Sequence, residues 1–169
     1  RLQALEPFVP IFNQTTAQVL GLNGLNDEAI ALLKTLPPTL LLPALAEVYA
    51  SMGRYGEAAD ALGTIPSGVY LSGTLEEAAR LLRAAPARAA SPPAVSLLGS
   101  LAFVYLYVGE PNLVLEFYEG IAAAGYPAIA NYPVALWYSS RAPVRKTERF
   151  KAYLLKAGSI RSAGTAARA

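Results

Sequence analysis

Apolar positions along this chain recur at helical intervals. From Leu41 they fall at Leu42, Leu45, Ala46, Val48 and Tyr49, and from Glu57 at Ala58, Ala61, Leu62 and Ile65. Steps of three and four put such side chains on one face of a helix, whereas a half-buried strand alternates in steps of two. No sustained alternation bounded by turns occurs, so the pattern predicts an all-α fold. It places helices over residues 2–9, 11–22, 26–35, 39–52, 55–63, 74–84, 93–108, 111–124, 127–137 and 147–156, with a Gly- and Pro-containing loop over 63–73.

Prolines and charges mark the ends of these elements. Pro37-Pro38, Pro66, Pro86 and Pro92-Pro93 fall between the periodic segments, where a missing N–H does least harm. Pro43 sits inside a predicted helix instead, and Pro10 splits the N-terminal helical segment. In the helix over 74–84, Glu76 and Glu77 stand near the start and Arg80 and Arg83 near the end, an order that suits the helix dipole. Thr74 is expected to cap that helix, with Glu77 as its capping-box partner.

Three stretches share one punctuation. Ala17, Leu20 and Gly24 are spaced like Ala46, Tyr49 and Gly53, and like Ala102, Tyr105 and Gly109. Each set reads as a small residue, a large apolar residue one turn on, a glycine, and then a second amphipathic segment. That is an internal repeat of helical hairpins.

The segment Leu42, Leu45, Ala46, Tyr49, Gly53, Tyr55, Ala58, Leu62 resembles the tetratricopeptide repeat, a family of paired antiparallel helices with a period of about 34 residues. The stretch with Leu98, Leu101, Ala102, Tyr105, Gly109 and Tyr118 is similar, departing at Val114 where a small residue is usual. The stretch with Ala17, Leu20, Gly24, Ala29 and Leu33 is similar too, although Asn13 and Thr16 stand where apolar residues are usual. Spacing also departs from the family: 29 residues separate Ala17 from Ala46, and 56 separate Ala46 from Ala102. The resemblance implies stacked antiparallel hairpins in a right-handed, irregular superhelix, with Ala46 and Ala58 at close helix–helix approaches and Tyr49 and Leu62 filling the space between hairpins.

In the resembled fold the first helix of each hairpin lines a concave groove. The groove-facing positions would be Gln14 and Gln18, Glu47 and Ser51, and Phe103 and Tyr107. A rigid concave surface of this kind suits a protein or peptide partner. The competing reading is that Phe103 and Tyr107 are core, covered by the next helix. A second resemblance concerns the end of the chain. Leu136-Trp137, Arg145, Arg149-Phe150, Leu154-Leu155 and Ala157-Gly158 look like the closing segment of bacterial proteins in which a tetratricopeptide array follows an adenylate/guanylate cyclase or winged-helix domain. Ser159, Ile160 and Arg161 replace the aromatic ending usual there.

Composition narrows the chemistry. Of 169 residues, 54% are hydrophobic, which supports a large core, and a net charge of +2 exerts little pull on nucleic acid or acidic lipid. The absence of Cys and His excludes disulfides, thiol catalysis, zinc–thiolate sites and histidine general bases. Glu76-Glu77 and Glu116/Glu119 are the nearest carboxylate pairs, and they read as surface charge. Gly53-Arg54-Tyr55-Gly56 lacks the lysine of a phosphate loop. The basic set Arg141, Arg145, Lys146, Arg149, Lys151, Lys156 and Arg161 is interrupted by Glu148 and by Ala142-Pro143, and reads as solvated surface. Six tyrosines, Tyr105, Tyr107, Tyr118, Tyr126, Tyr132 and Tyr138, gather in one third of the chain, as aromatic packing or as an interface.

A mean hydropathy of +0.34 raises the question of membrane insertion. The uncharged runs 89–109 and 120–140 are interrupted by Pro92-Pro93 and by Pro127 and Pro133, and a span needs about twenty consecutive apolar residues. No membrane association is expected. The chain opens on Arg1 with no signal-peptide pattern, which leads to the expectation of a cytoplasmic fragment of a longer protein. Residues 1–157 are expected to form one helical repeat domain and residues 158–169 a frayed tail. The functional expectation is a non-catalytic protein-interaction module, without cofactor or metal, regulatory within a bacterial signalling protein. A self-association element or a small-ligand sensor are the alternatives.

Overall fold

The computed structural model describes residues 10–123, 136–137 and 139–155. Helices α1 (Pro10–Leu22), α2 (Asn26–Leu33), α3 (Pro38–Ser51), α4 (Tyr55–Gly63) and α5 (Thr74–Ala84) come first. A short α6 (Val95–Leu98) runs into a 3-10 segment, Gly99–Leu106, and is followed by α7 (Pro111–Ala123). A 3-10 turn at Ser139–Arg141, α8 (Ala142–Arg145) and a last helix over 148–155, α9, complete it. No strand occurs among the described residues, so the fold is all-α, as the periodicity requires.

Neighbours in sequence are neighbours in space. α1 pairs with α2 and α3 with α4, while α3 also rests on both helices of the first hairpin. α5 lies along α4. The 3-10 segment packs on α3, α5 and α7, and α8 on α7.

The repeated punctuation has one structural meaning at all three sites. Gly24, Gly53 and Gly109 have φ of +78°, +75° and +75°. Only glycine enters that region without a Cβ penalty. It lets the following N–H turn back on the helix it has just left: Leu25 donates to the Leu20 carbonyl at 3.0 Å, Arg54 to Tyr49 at 2.9 Å and Glu110 to Tyr105 at 2.9 Å. This is the six-to-one closure of a Schellman turn, which satisfies a carbonyl that the helix end would leave unpaired. The small residues one turn earlier, Ala17, Ala46 and Ala102, are buried, and so are Ala29, Ala58 and Val114 just beyond each turn. Large side chains follow at Leu33, Leu62 and Tyr118, also buried. Burying a leucine contributes about 1.5–3 kcal/mol, so hairpins that share such residues are stable only together.

Two local expectations are revised and one holds. Thr74 does not cap α5; Gly73, at φ +81°, occupies that position. Thr74 is the first helical residue, fully buried, and its hydroxyl donates to the Leu97 carbonyl at 2.8 Å. A tertiary partner has replaced the local one. The helix expected over 93–108 is broken at Gly99, whose φ of +51° no α-helix continues, and the remainder winds as a 3-10 segment. Pro43 does lie inside α3, where the helix tolerates the loss of one hydrogen bond. The helix expected over 2–9, that over 127–137 except its last two residues, the residues Tyr126, Tyr132 and Tyr138, Lys156 and Arg161, and the tail over 158–169 lie outside the described residues.

Candidate functional site

Glu47 and Ser51 sit one turn apart on α3. Ser51 is exposed, and its hydroxyl donates to its own helix, to the Val48 carbonyl at 2.7 Å. Glu47 is half-buried and meets Arg141, whose Nη2 lies 2.5 Å from Oε1. Two other expected positions belong to the same neighbourhood. Tyr107 has its ring 5.8 Å from that of Tyr55 at the start of α4, and 6.5 Å from Phe103, edge to face. Phe103 is buried, which favours the core reading for that residue. Gln14 and Gln18 are half-buried on α1.

Electrostatics bind this cluster together. Burial raises the Tyr107 hydroxyl well above its usual range; the Glu47 carboxylate pushes the same way, and Arg141 opposes it. For Arg141, burial works against the charge, but the Glu47 carboxylate and Tyr118 outweigh it and hold the guanidinium firmly protonated. The arrangement is not fully satisfied. Arg141 Nε and the Tyr107 hydroxyl oxygen are both buried with no hydrogen-bond partner, an unusual state for native polar atoms.

Arg141 departs from its expectation as solvated surface. Its neighbours make it look like part of a solvated basic run, yet it is only 5% exposed. The other described members of that run, Arg145, Lys146, Arg149 and Lys151, are half-buried or exposed. Arg145 lies over the Trp137 ring at 5.9 Å and donates to the Leu136 carbonyl, and Lys151 pairs with Glu148. Arg149 bridges Glu119 at 2.5 Å and Glu116 at 3.5 Å, so these two carboxylates share a cation. Beside them Glu116, Glu119, Gly120, Ala123, Ala152 and Tyr153 line an open cleft of about 440 Å³ between α7 and α9. Glu77 is held below the usual carboxylate range by its hydrogen bond to Arg80.

Among the described residues no group of acidic side chains is arranged to hold a metal ion, and no helix is long and apolar enough to cross a membrane. The class defined by these features is an all-α protein of packed helical hairpins whose C-terminal segment is ion-paired to the second hairpin. Comparison with protein-family models, with curated proteins and with solved structures finds no match.

Proposed function

We propose that this chain is a non-catalytic protein-interaction module that uses the α3 face bearing Glu47 and Ser51, together with Tyr107, to hold a peptide segment of a partner. The observation that carries this reading is the threefold hairpin closure at Gly24, Gly53 and Gly109, with small residues buried at each helix approach. Such units stack into rigid scaffolds whose surfaces, not reactive groups, do the work. The aromatic and acidic side chains at the junction of α3, α4 and the 3-10 segment supply the mixed character that peptide-binding surfaces favour.

Selection of peptides from a displayed library against the purified chain, followed by titration calorimetry, tests it. Selected peptides are expected to bind with one-to-one stoichiometry and to weaken at least about tenfold, or 1.4 kcal/mol, against Ser51→Arg. Ser51 is exposed, so that change leaves the core alone. Peptides indifferent to Ser51→Arg remove the assignment of the face.

Self-association is the second reading, favoured by the exposed apolar residues Trp137 and Leu155 toward the C-terminal end. Light scattering separates the two. A dimer that becomes monomeric in Leu155→Glu favours the second; a monomer in both forms dismisses it.

A further inference from the structure

Arg141 is an odd residue to bury. It enters from the 3-10 turn at Ser139–Arg141 and reaches a carboxylate on α3, in the middle of the hairpin array. Its fork is poorly used. Nη2 meets Glu47, Nη1 donates to the hydroxyl of the adjacent Ser140 at 3.0 Å, and Nε is buried unpaired. The Tyr107 hydroxyl oxygen in the same cluster is buried unpaired as well. A guanidinium optimised for this carboxylate would meet it with two parallel N–H donors. The backbone next to Arg141 is fixed by α8, where Val144 is buried and which packs against α7, and this restricts how the side chain approaches.

We propose that Arg141 is an intramolecular stand-in for an arginine of a partner peptide, so that the Glu47 site is an arginine-recognition pocket closed by the chain's own C-terminal segment. This rests on the interaction-module reading and names its ligand. When the segment swings away, the face it leaves presents the Glu47 carboxylate near Tyr107, whose ring packs against that of Tyr55. A carboxylate next to aromatic faces selects a planar cation over an ammonium. An arginine on a free peptide is not tethered to α8, so it can adopt the bidentate geometry that Arg141 does not. The two unpaired polar atoms mark the closed form as incompletely satisfied, which makes exchange for an external ligand feasible.

The test uses the full chain and a labelled synthetic peptide with the sequence of residues 139–150, read by fluorescence anisotropy. Arg141→Ala is expected to bind this peptide at least about tenfold more tightly than the unaltered chain, because the internal competitor is gone. Adding Glu47→Gln to Arg141→Ala should abolish that gain, and a peptide with alanine in place of its first arginine should not bind. Equal binding by the unaltered chain and Arg141→Ala, or no binding by a folded Arg141→Ala chain, overturns the proposal. Should Arg141→Ala fail to fold, hydrogen exchange on the unaltered chain decides. Amides of 139–145 that exchange faster with excess peptide, while those of α3 keep their protection, support it; amides of 139–145 that exchange only with global unfolding overturn it. A displayed peptide that depends on Ser51 but not on Arg141 would sink this inference while leaving the interaction module standing.

Discussion

The Tyr105 hydroxyl donates to the Pro93 carbonyl at 2.9 Å, tying the 3-10 segment to the strap that leads into α6. Tyr105 is fully buried. Burial, reinforced by Glu116 and Glu77, raises its pKa to about 12. An unfolded tyrosine ionises near 10. Between those values the unfolded chain gives up a proton that the folded chain keeps, so stability is complete below pH 10 and falls as pH rises toward 12. The loss from this residue amounts to about 3 kcal/mol. Denaturant titrations at pH 9, 10, 11 and 12 should show the decline, and Tyr105→Phe should flatten it. A pH dependence unchanged in Tyr105→Phe would assign the effect elsewhere, Tyr107 being the next candidate.

A turn glycine and a helix glycine give substitutions with opposite signs. Gly53 needs its positive φ, and a Cβ there meets nothing within 4 Å, so only backbone strain opposes a side chain. Gly53→Ala should destabilise by about 1–2 kcal/mol. Gly120 is exposed inside α7, with ordinary φ and open space around it. Gly120→Ala should stabilise by about 0.5–1 kcal/mol. Thermal melts of both variants check the contrast, and a stabilising Gly53→Ala would refute the turn assignment.

Close helix approach at Ala46 predicts intolerance of bulk. Ala46 is 0% exposed, on α3 where that helix meets its neighbours. Ala46→Leu should cost about 1–3 kcal/mol by overpacking, whereas Ala46→Gly should cost about 1 kcal/mol through helix propensity. A neutral Ala46→Leu, measured by urea unfolding, would mean that the hairpins are more loosely packed than described.

The Glu47–Arg141 pair is open to a double-mutant cycle. Removing either partner strands the other, and Arg141→Met should cost about 3 kcal/mol, the low end for a buried pair because Glu47 retains some solvent contact. Glu47→Gln combined with Arg141→Met should cost clearly less than the two single changes together, leaving a coupling of about 1 kcal/mol or more. Additive losses would show that the two side chains do not depend on one another.

How much of this was legible in the sequence varies by element, for physical reasons. α4 and α5 have the bounds that periodicity and prolines predict, because both depend on local spacing and end two or three residues before a proline, Pro66 and Pro86. The three turns were legible because only glycine fits them. The role of Thr74 is not legible, because an adjacent glycine takes the cap position and a distant carbonyl takes its hydroxyl. Arg141 looks solvated from the sequence because it stands among other basic residues; nothing in its neighbours announces a carboxylate on α3.

The residue order by itself determined that this is an all-α protein, where its helices turn, and which small residues lie at helix approaches, since each follows from the backbone preferences of individual residues and a fixed helical period. Tertiary structure alone decided that α5 lies along α4, that the 3-10 segment packs on α3, and that Arg141 is buried against Glu47. Those are contacts between residues far apart in the chain. They are set by how the assembled helices fill space, which local propensity does not encode.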